Sequence, residues 1–244
     1  MTSSGSADDV RALIADEPRL SGDKPAAFGG LQRLCRAATR SLPAMGVGVI
    51  VMSESGEPTT VASSGPDCEA LEELQFTLGE GPCLDAYVLR RPVLTPDLGK
   101  AARTRWLGYG PAAQDQGVQA VFAFPLQVGA ARLGAMDVYR TTPGALSFAS
   151  LSRALSFADV AVKSLLDAHG PGEREGEGVP GLDDALESRL ELYQAQGMVM
   201  VQLGVGLAEA MSRLRAYAYA QDRRVSDVAV DIVTRRLTFE SDGK

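Results

Sequence analysis

The chain begins with a polar stretch, residues 1–25, led by Ser, Gly and Asp, whose apolar residues suffice for one helical turn near Val10–Ile14. It reads as a flexible tail. From Ala26 the apolar positions Phe28, Leu31, Leu34, Cys35 and Ala38 recur three and four apart and draw one face of a helix. Leu42-Pro43 ends that helix, because a residue before proline avoids the helical region. The run Val47–Met52 is apolar and β-branched, Ser55–Pro58 is a turn cluster and Thr59–Ala62 is extended again, which predicts a hairpin. Residues 67–77 return to helical spacing, 79–91 form a glycine-rich turn entering a short helix, 93–98 are extended, and 99–115 read as one helix. Strands at 118–128 and 131–142 meet at Gly129-Ala130, and a helix runs from Ser147 to about Ala168.

This order predicts an α+β domain over 26–168, an antiparallel sheet with flanking helices. No GxGxxG follows a strand, so no dinucleotide site is signalled. Residues 169–182, rich in Gly, Pro and Glu, read as a linker. An all-α unit of three helices follows over 183–240. Its first helix carries a seam at Leu186, Leu190, Tyr193, Gly197 and Met200, a 3.5-residue period. The second carries Leu207, Ala210, Met211, Leu214 and Ala218. The third carries Val225, Val228, Ala229, Ile232 and Val233, with Ser226 as its expected N-cap and Val225 and Val230 as a staple. So small a bundle is expected to lean on a second copy of the chain.

A length of 244 residues suits two domains, and 45% hydrophobic residues with 6% aromatic imply an aliphatic core. The net charge of −7 argues against general affinity for nucleic acid. The charge is partitioned, however: Arg189–Phe239 holds seven arginines, no lysine and five acids. Guanidinium forks pair with phosphate, and Tyr193, Tyr217 and Tyr219 offer faces for base stacking. Plainer readings stand beside these. Tyr193 lies on the seam and reads as core, and Arg235 and Arg236 fall in a last helical turn, where the helix dipole favours cations. Arg223-Arg224 sits in a turn, as a phosphate contact or as a solvated pair.

Cys35, Cys68 and Cys83 form no CxxC, and His169 is the only histidine. Neither a zinc site nor haem ligation is signalled, so the thiols read as reduced and no metal or cofactor is expected. No basic leader precedes an apolar run and no stretch approaches the ~18–20 apolar residues of a membrane span, so a cytoplasmic protein is expected.

The segment YQAQGMVMVQLGVGLAEAMSRLRAYAYAQDRRVSDVAVDIV, residues 193–233, resembles the ANTAR domain. The matching residues are Ala195, Gln196 and Gly197, then Ala210, Leu214 and Arg215, then Arg223, Arg224, Val225, Asp227, Val228 and Ala229. Gln196 stands where that family carries lysine. Upstream, LQFTLGEGPCLDAY at 74–87, the Trp106 segment and VQAVFAFPLQVGAARLGAMDVYRTTPGALS at 118–147 resemble a GAF domain. Together they imply a transcription antiterminator, in which a sensor for an unknown small molecule controls binding to an RNA hairpin, acting as a homodimer and not as an enzyme. The resemblance places RNA contacts at Gln196, Arg213, Arg215, Arg223 and Arg224, and a ligand pocket near Gly79, Gly81, Cys83 and Trp106. At Pro82 a helix N-terminus would face an anionic ligand, or the turn simply joins two helices. Val121, Phe122, Phe124 and Met136 read as core. Two further readings compete: a thiol enzyme or redox sensor built on Cys83, akin to free methionine sulfoxide reductases of the GAF fold, and an oligomerisation or protein-partner module that binds no RNA.

Overall fold

The computed structural model describes residues 3–20, 26–52, 58–167 and 182–240, with side chains over 7–20, 29–52, 58–167 and 191–240. The chain divides into two compact units, Met1–Glu177 and Gly178–Lys244.

In the first unit a five-stranded antiparallel sheet runs in the order β2-β1-β5-β4-β3. Its strands are β1 (Gly46–Met52), β2 (Pro58–Ser63), β3 (Val93–Thr95), β4 (Ala120–Val128) and β5 (Ala131–Arg140). β1 pairs with β2 and β4 pairs with β5, so both expected hairpins form. The turn cluster expected at Ser55–Pro58 lies outside the described residues up to position 57. β1 also pairs with β5, and that ladder sets Val47 opposite Val138, Val49 opposite Met136, Gly48 opposite Asp137 and Gly46 opposite Tyr139.

Alternation along the strands then sorts the side chains onto two faces. Val47, Val49, Phe122, Phe124, Met136 and Val138 share one face, all essentially buried. The outer helices α1 (Ser3–Ala15), α2 (Ala26–Ser41) and α7 (Phe148–Asp167) pack together and against the sheet. The other face carries Val121, Ala123, Asp137 and Tyr139. It is covered by α3 (Pro66–Leu78), α4 (Pro82–Leu89), α5 (Leu98–Ala101) and α6 (Tyr109–Asp115).

Two expectations are corrected. Ser3–Ala15 is helical, where the polar composition of residues 1–25 predicts a flexible tail. Val10 is buried against the neighbouring helices and Glu17, itself buried, pairs with Arg40 at 2.9 Å. The polar opening hid an amphipathic turn whose partner is far along the chain. Nor is 99–115 one helix: α5 and α6 are separate, because Trp106 turns inward between them and Glu80 Oε1 accepts the backbone N–H groups of Gly108 (2.6 Å) and Tyr109 (2.8 Å).

The second unit consists of α8 (Leu182–Leu203), α9 (Leu207–Ala220) and α10 (Val225–Val233). Leu192, Ala195 and Val199 of α8 are buried with Ala210, Met211, Leu214, Ala218, Val225, Val228, Ala229 and Ile232. The seam expected on α8 is therefore offset. Tyr193 is 40% exposed instead of core, and Gly197 and Met200 are only partly buried; Leu186 and Leu190 lie outside the described side chains. A three-four spacing fixes a stripe but not which of two adjacent stripes faces the same chain. The expected cap also moves: Arg224 is the N-cap of α10, without a side-chain hydrogen bond, and Ser226 lies inside the first turn.

Close approach of strands makes one glycine indispensable. A Cβ on Gly134 would stand 1.9 Å from the backbone oxygen of Ile50. Since backbone cannot move aside as a side chain does, Gly134→Ala is expected to lower stability by about 2–4 kcal/mol. Urea unfolding monitored by circular dichroism measures this, and a loss within ~0.5 kcal/mol would contradict the register.

Candidate functional site

The inner face of the sheet carries polar chemistry where an aliphatic core would be expected. Asp137 and Tyr139 on β5 point the same way, with Gly48 and Gly46 of β1 beside them. Those glycines leave a slot that α3 fills. A Cβ on Gly48 would lie 2.0 Å from Glu72 Oε1, and one on Gly46 would lie 2.9 Å from the Cβ of Cys68. Glu72 and Gln75 are one turn apart on α3 and are both buried.

Gln75 organises the cluster. Its Nε2 donates to Asp137 Oδ2 (2.5 Å), to Tyr139 Oη (2.9 Å) and to Glu72 Oε2 (3.3 Å). One amide has two hydrogens, so three acceptors share them. Tyr139 Oη donates in turn to Asp137 Oδ2 at 3.2 Å. On the other side of the amide, Gln75 Oε1 accepts the backbone N–H of Cys83 at 2.9 Å. One side chain thereby ties α3, the start of α4 and β5 together. Gly81, at φ 148°, permits this: a Cβ there would sit 2.3 Å from Gln75 Oε1.

Glu72 Oε1 and Asp137 Oδ1 have no hydrogen-bond partner. Among the described residues no Lys or Arg pairs with either carboxyl. Burial pushes the Asp137 carboxyl up to about 7, against its hydrogen bonds from Gln75 and Tyr139. Burial, and then Asp137, push Glu72 well above the usual carboxylate range. The Cys83 thiol is raised by burial and by the two carboxyls, and that of Cys68 by burial and Glu72.

The expected pocket residues divide. Gly79 ends α3 in the left-handed conformation, its N–H on the Gln75 carbonyl, and Gly81 precedes α4. Cys83 borders the polar cluster. Trp106 turns elsewhere: its Nε1 donates to Asp85 Oδ2 at 3.0 Å, and Arg105 pairs with the same oxygen at 2.8 Å while lying over the indole. The N-terminus of α4 does not present a free N–H of Cys83 to an anion, because Gln75 Oε1 already occupies it. Glu72, Gln75, Tyr109, Asp137 and Tyr139 were not anticipated. Their signal was present in Asp137, an acid inside the apolar strand Ala135–Tyr139, and in the glycine alternation of Gly46 and Gly48.

In the second unit the arginines have definite partners. Arg223 Nη2 reaches Asp231 Oδ2 at 2.6 Å and Arg236 Nε reaches Asp231 Oδ1 at 2.8 Å. Asp231, near the C-terminal end of α10, therefore tethers Arg223 from the α9–α10 turn and Arg236 from beyond the helix, and Arg224 is exposed in that turn. Arg213 is exposed and pairs with Glu209 at 3.3 Å, whereas Arg215 is partly buried. Gln196 Nε2 donates to the carbonyl of Leu207 at 2.8 Å, across to the start of α9. Tyr217 packs edge-on against Phe239, whose N–H is held by Gln202 Oε1; Tyr219 is exposed.

With this geometry in view, the first unit is a ligand-sensing type of α+β domain. The profile of the GAF domain matches residues 31–162 and that of the ANTAR domain matches residues 181–233. The chain belongs to the GAF family, and its architecture is GAF followed by ANTAR: a sensor domain joined to an RNA-binding regulatory domain. Among solved structures, the GAF domain of the Acinetobacter phosphoenolpyruvate-protein phosphotransferase is 13% identical, with a TM-score of 0.52 over 69% of this chain and 96% of that one. The corresponding GAF domain from Coxiella burnetii is 14% identical, with a TM-score of 0.51 over 69% and 97%. At such identities these matches establish the fold alone. A comparison with curated proteins finds no match.

The buried carboxyls make stability depend on pH. Asp137 holds its proton in the folded chain up to about pH 7 but releases it near 3.8 when unfolded, so the folded state binds more protons between those values. The stabilisation is complete below that window and is lost as pH rises through it, at on the order of 1 kcal/mol per pH unit for each titrating carboxyl. Asp137→Asn is expected to flatten the slope and to raise the melting temperature at pH 8. Thermal unfolding from pH 5 to 8 with a chelator present, so that the carboxyls carry only protons, measures both. A variant melting lower at pH 8 would contradict the assignment.

Proposed function

We propose that this chain is a cytoplasmic, signal-responsive antiterminator: its C-terminal unit binds an RNA hairpin, and its GAF unit controls that binding in response to a small ligand. The observation that carries the reading is the arginine group around α10, where Asp231 holds Arg223 of the α9–α10 turn and Arg236 beyond the helix, and Arg224 is exposed next to Arg223. Fixing a guanidinium before a phosphate arrives reduces the ordering cost of the contact. Arg213 and Arg215 on α9 extend the basic surface, and exposed Tyr219 supplies a stacking face. Gln196, hydrogen-bonded to the Leu207 carbonyl, joins α8 to α9 and adds no positive charge.

A homodimer completes the reading. Tyr193 at 40% exposure and Val201 at 75% leave apolar surface on α8 that a second copy would cover. Pairing would double the arginines available to one transcript. Ligand in the GAF unit would then shift the balance between arrangements of the paired output units. Catalysis is not part of this reading: Cys83 is buried and its thiol is raised, the reverse of a reactive thiolate.

An electrophoretic shift of RNA stem-loops by the full chain tests the reading. Replacing Arg223 and Arg224 with Ala is expected to weaken binding about 10–100-fold and to reduce the dependence of log K on log salt by about 2. Failure of the unaltered chain to retain any stem-loop at low salt would refute it, as would an affinity indifferent to both substitutions.

A further inference from the structure

We propose that Glu72, Asp137 and Cys83 form a binding site for one divalent transition-metal ion of the zinc or ferrous class, with Tyr109 lining it and Gln75 and Tyr139 orienting the ligands. No metal was expected from sequence, since the three residues lie on α3, β5 and α4 and meet only through the fold. One carboxylate oxygen of each acid and the Cys83 Sγ all lie within 4.8 Å of one another, and all three residues are buried. Ligands bound tetrahedrally to a common ion at about 2.0–2.3 Å stand about 3.3–3.5 Å apart, so binding draws the widest pair together by up to roughly 1.3 Å.

The donors themselves supply a second reason. Glu72 Oε1 and Asp137 Oδ1 are buried without hydrogen-bond partners. A buried polar atom left unsatisfied costs roughly 1–3 kcal/mol, and more if charged. A cation satisfies both carboxylates at once. The opposite oxygens, Glu72 Oε2 and Asp137 Oδ2, are held by Gln75, and Asp137 Oδ2 also by Tyr139. Ligating carboxylates are commonly hydrogen-bonded in turn, which fixes their orientation.

The size and softness of the site select the ligand. Glu72 and Gln75 fill the space where a Cβ on Gly48 or Gly81 would stand, so the cluster is packed against backbone on two sides. That accommodates a single ion better than an organic cation. Two carboxylates with one thiolate form a mixed hard and soft set, which favours zinc, ferrous or cobaltous ions over magnesium or calcium. Binding displaces protons from the ligands, including the Cys83 thiol, and converts an uncompensated acidic core into a coordinated one. The inference deepens the sensor reading by naming a class of ligand. The two fail separately, because metal retention is read on the protein and RNA retention on the transcript.

The test is cobalt(II) spectroscopy on the full chain, unfolded, stripped with chelator and refolded with cobalt. The expected result is a thiolate-to-cobalt charge-transfer band in the near ultraviolet that saturates at one ion per chain and is displaced by zinc. Cys83→Ser abolishes the band, whereas Cys68→Ser and Cys35→Ser retain it. Tyr139→Phe, which keeps the ring and removes only the orienting hydroxyl, weakens cobalt binding about 10–100-fold. Glu72→Gln buries less charge and is expected to fold, as circular dichroism verifies, yet to lose the ion on gel filtration. A folded, unaltered chain that shows no band and retains no metal overturns the proposal. So does a band that survives in Cys83→Ser, or a folded Glu72→Gln variant that holds cobalt as tightly as the unaltered chain.

Discussion

Two carboxyl groups sealed between a helix and the sheet, with a single glutamine amide to serve both, set the terms for the first unit. Gln75 bridges Asp137, Tyr139 and Glu72 on one side and the backbone of Cys83 on the other. The inner helices therefore meet the sheet through polar groups that must be satisfied together or not at all. The glycines of β1 and Gly81 follow from this arrangement: they are the positions where a side chain would displace Glu72, Cys68 or Gln75. The opposite face of the sheet, lined by Phe122, Phe124, Met136 and Val138, is an ordinary apolar layer. It stabilises the domain without giving it any chemistry. The division suits a sensor, with one face as scaffold and the other holding groups whose charge state depends on what binds them.

The second unit solves a different electrostatic problem. A chain of net charge −7 repels phosphate at long range, so any grip on a transcript must be short-ranged and geometrically fixed. Asp231 supplies the fixing: it gives up one negative charge of the unit to hold Arg223 and Arg236 in place. The same tether depresses the Asp231 carboxyl, first through its hydrogen bond with Arg223, so the pairing persists well below neutral pH. The first unit thus holds the buried ionisable groups and the second the oriented guanidinium groups.

Much of this was legible in the sequence, for reasons that can be located. The hairpins announced themselves through continuous apolar, β-branched runs such as Val47–Met52 and through the Gly129-Ala130 turn, because strands buried on both faces carry few polar positions. The long helices α2 and α7 were legible from their apolar stripes. The helix at Ser3–Ala15 was not, because its stability comes from contacts such as Glu17 with Arg40, which no local pattern encodes. The break between α5 and α6 depends on Glu80, twenty-eight residues before Gly108. Cys83, Gly79 and Gly81 were found through a motif, but the side chains that give the site its character were not. Glu72 and Asp137 look like solvated acids until the register sets Gly48 against Asp137 and α3 descends into the gap. The arginines were legible in number; their tethering through Asp231 was not.

Glu72 and Asp137 are shut away from water and share one amide. The side-chain carbonyl 13C shifts of the chelator-treated chain, followed across pH, test this most directly. Asp137 should titrate with a midpoint near 7, and Glu72 should remain protonated well above the range of the surface glutamates. If both carbons instead move with the surface carboxyls at acidic pH, the acids are solvated and the account of the sensor site is wrong.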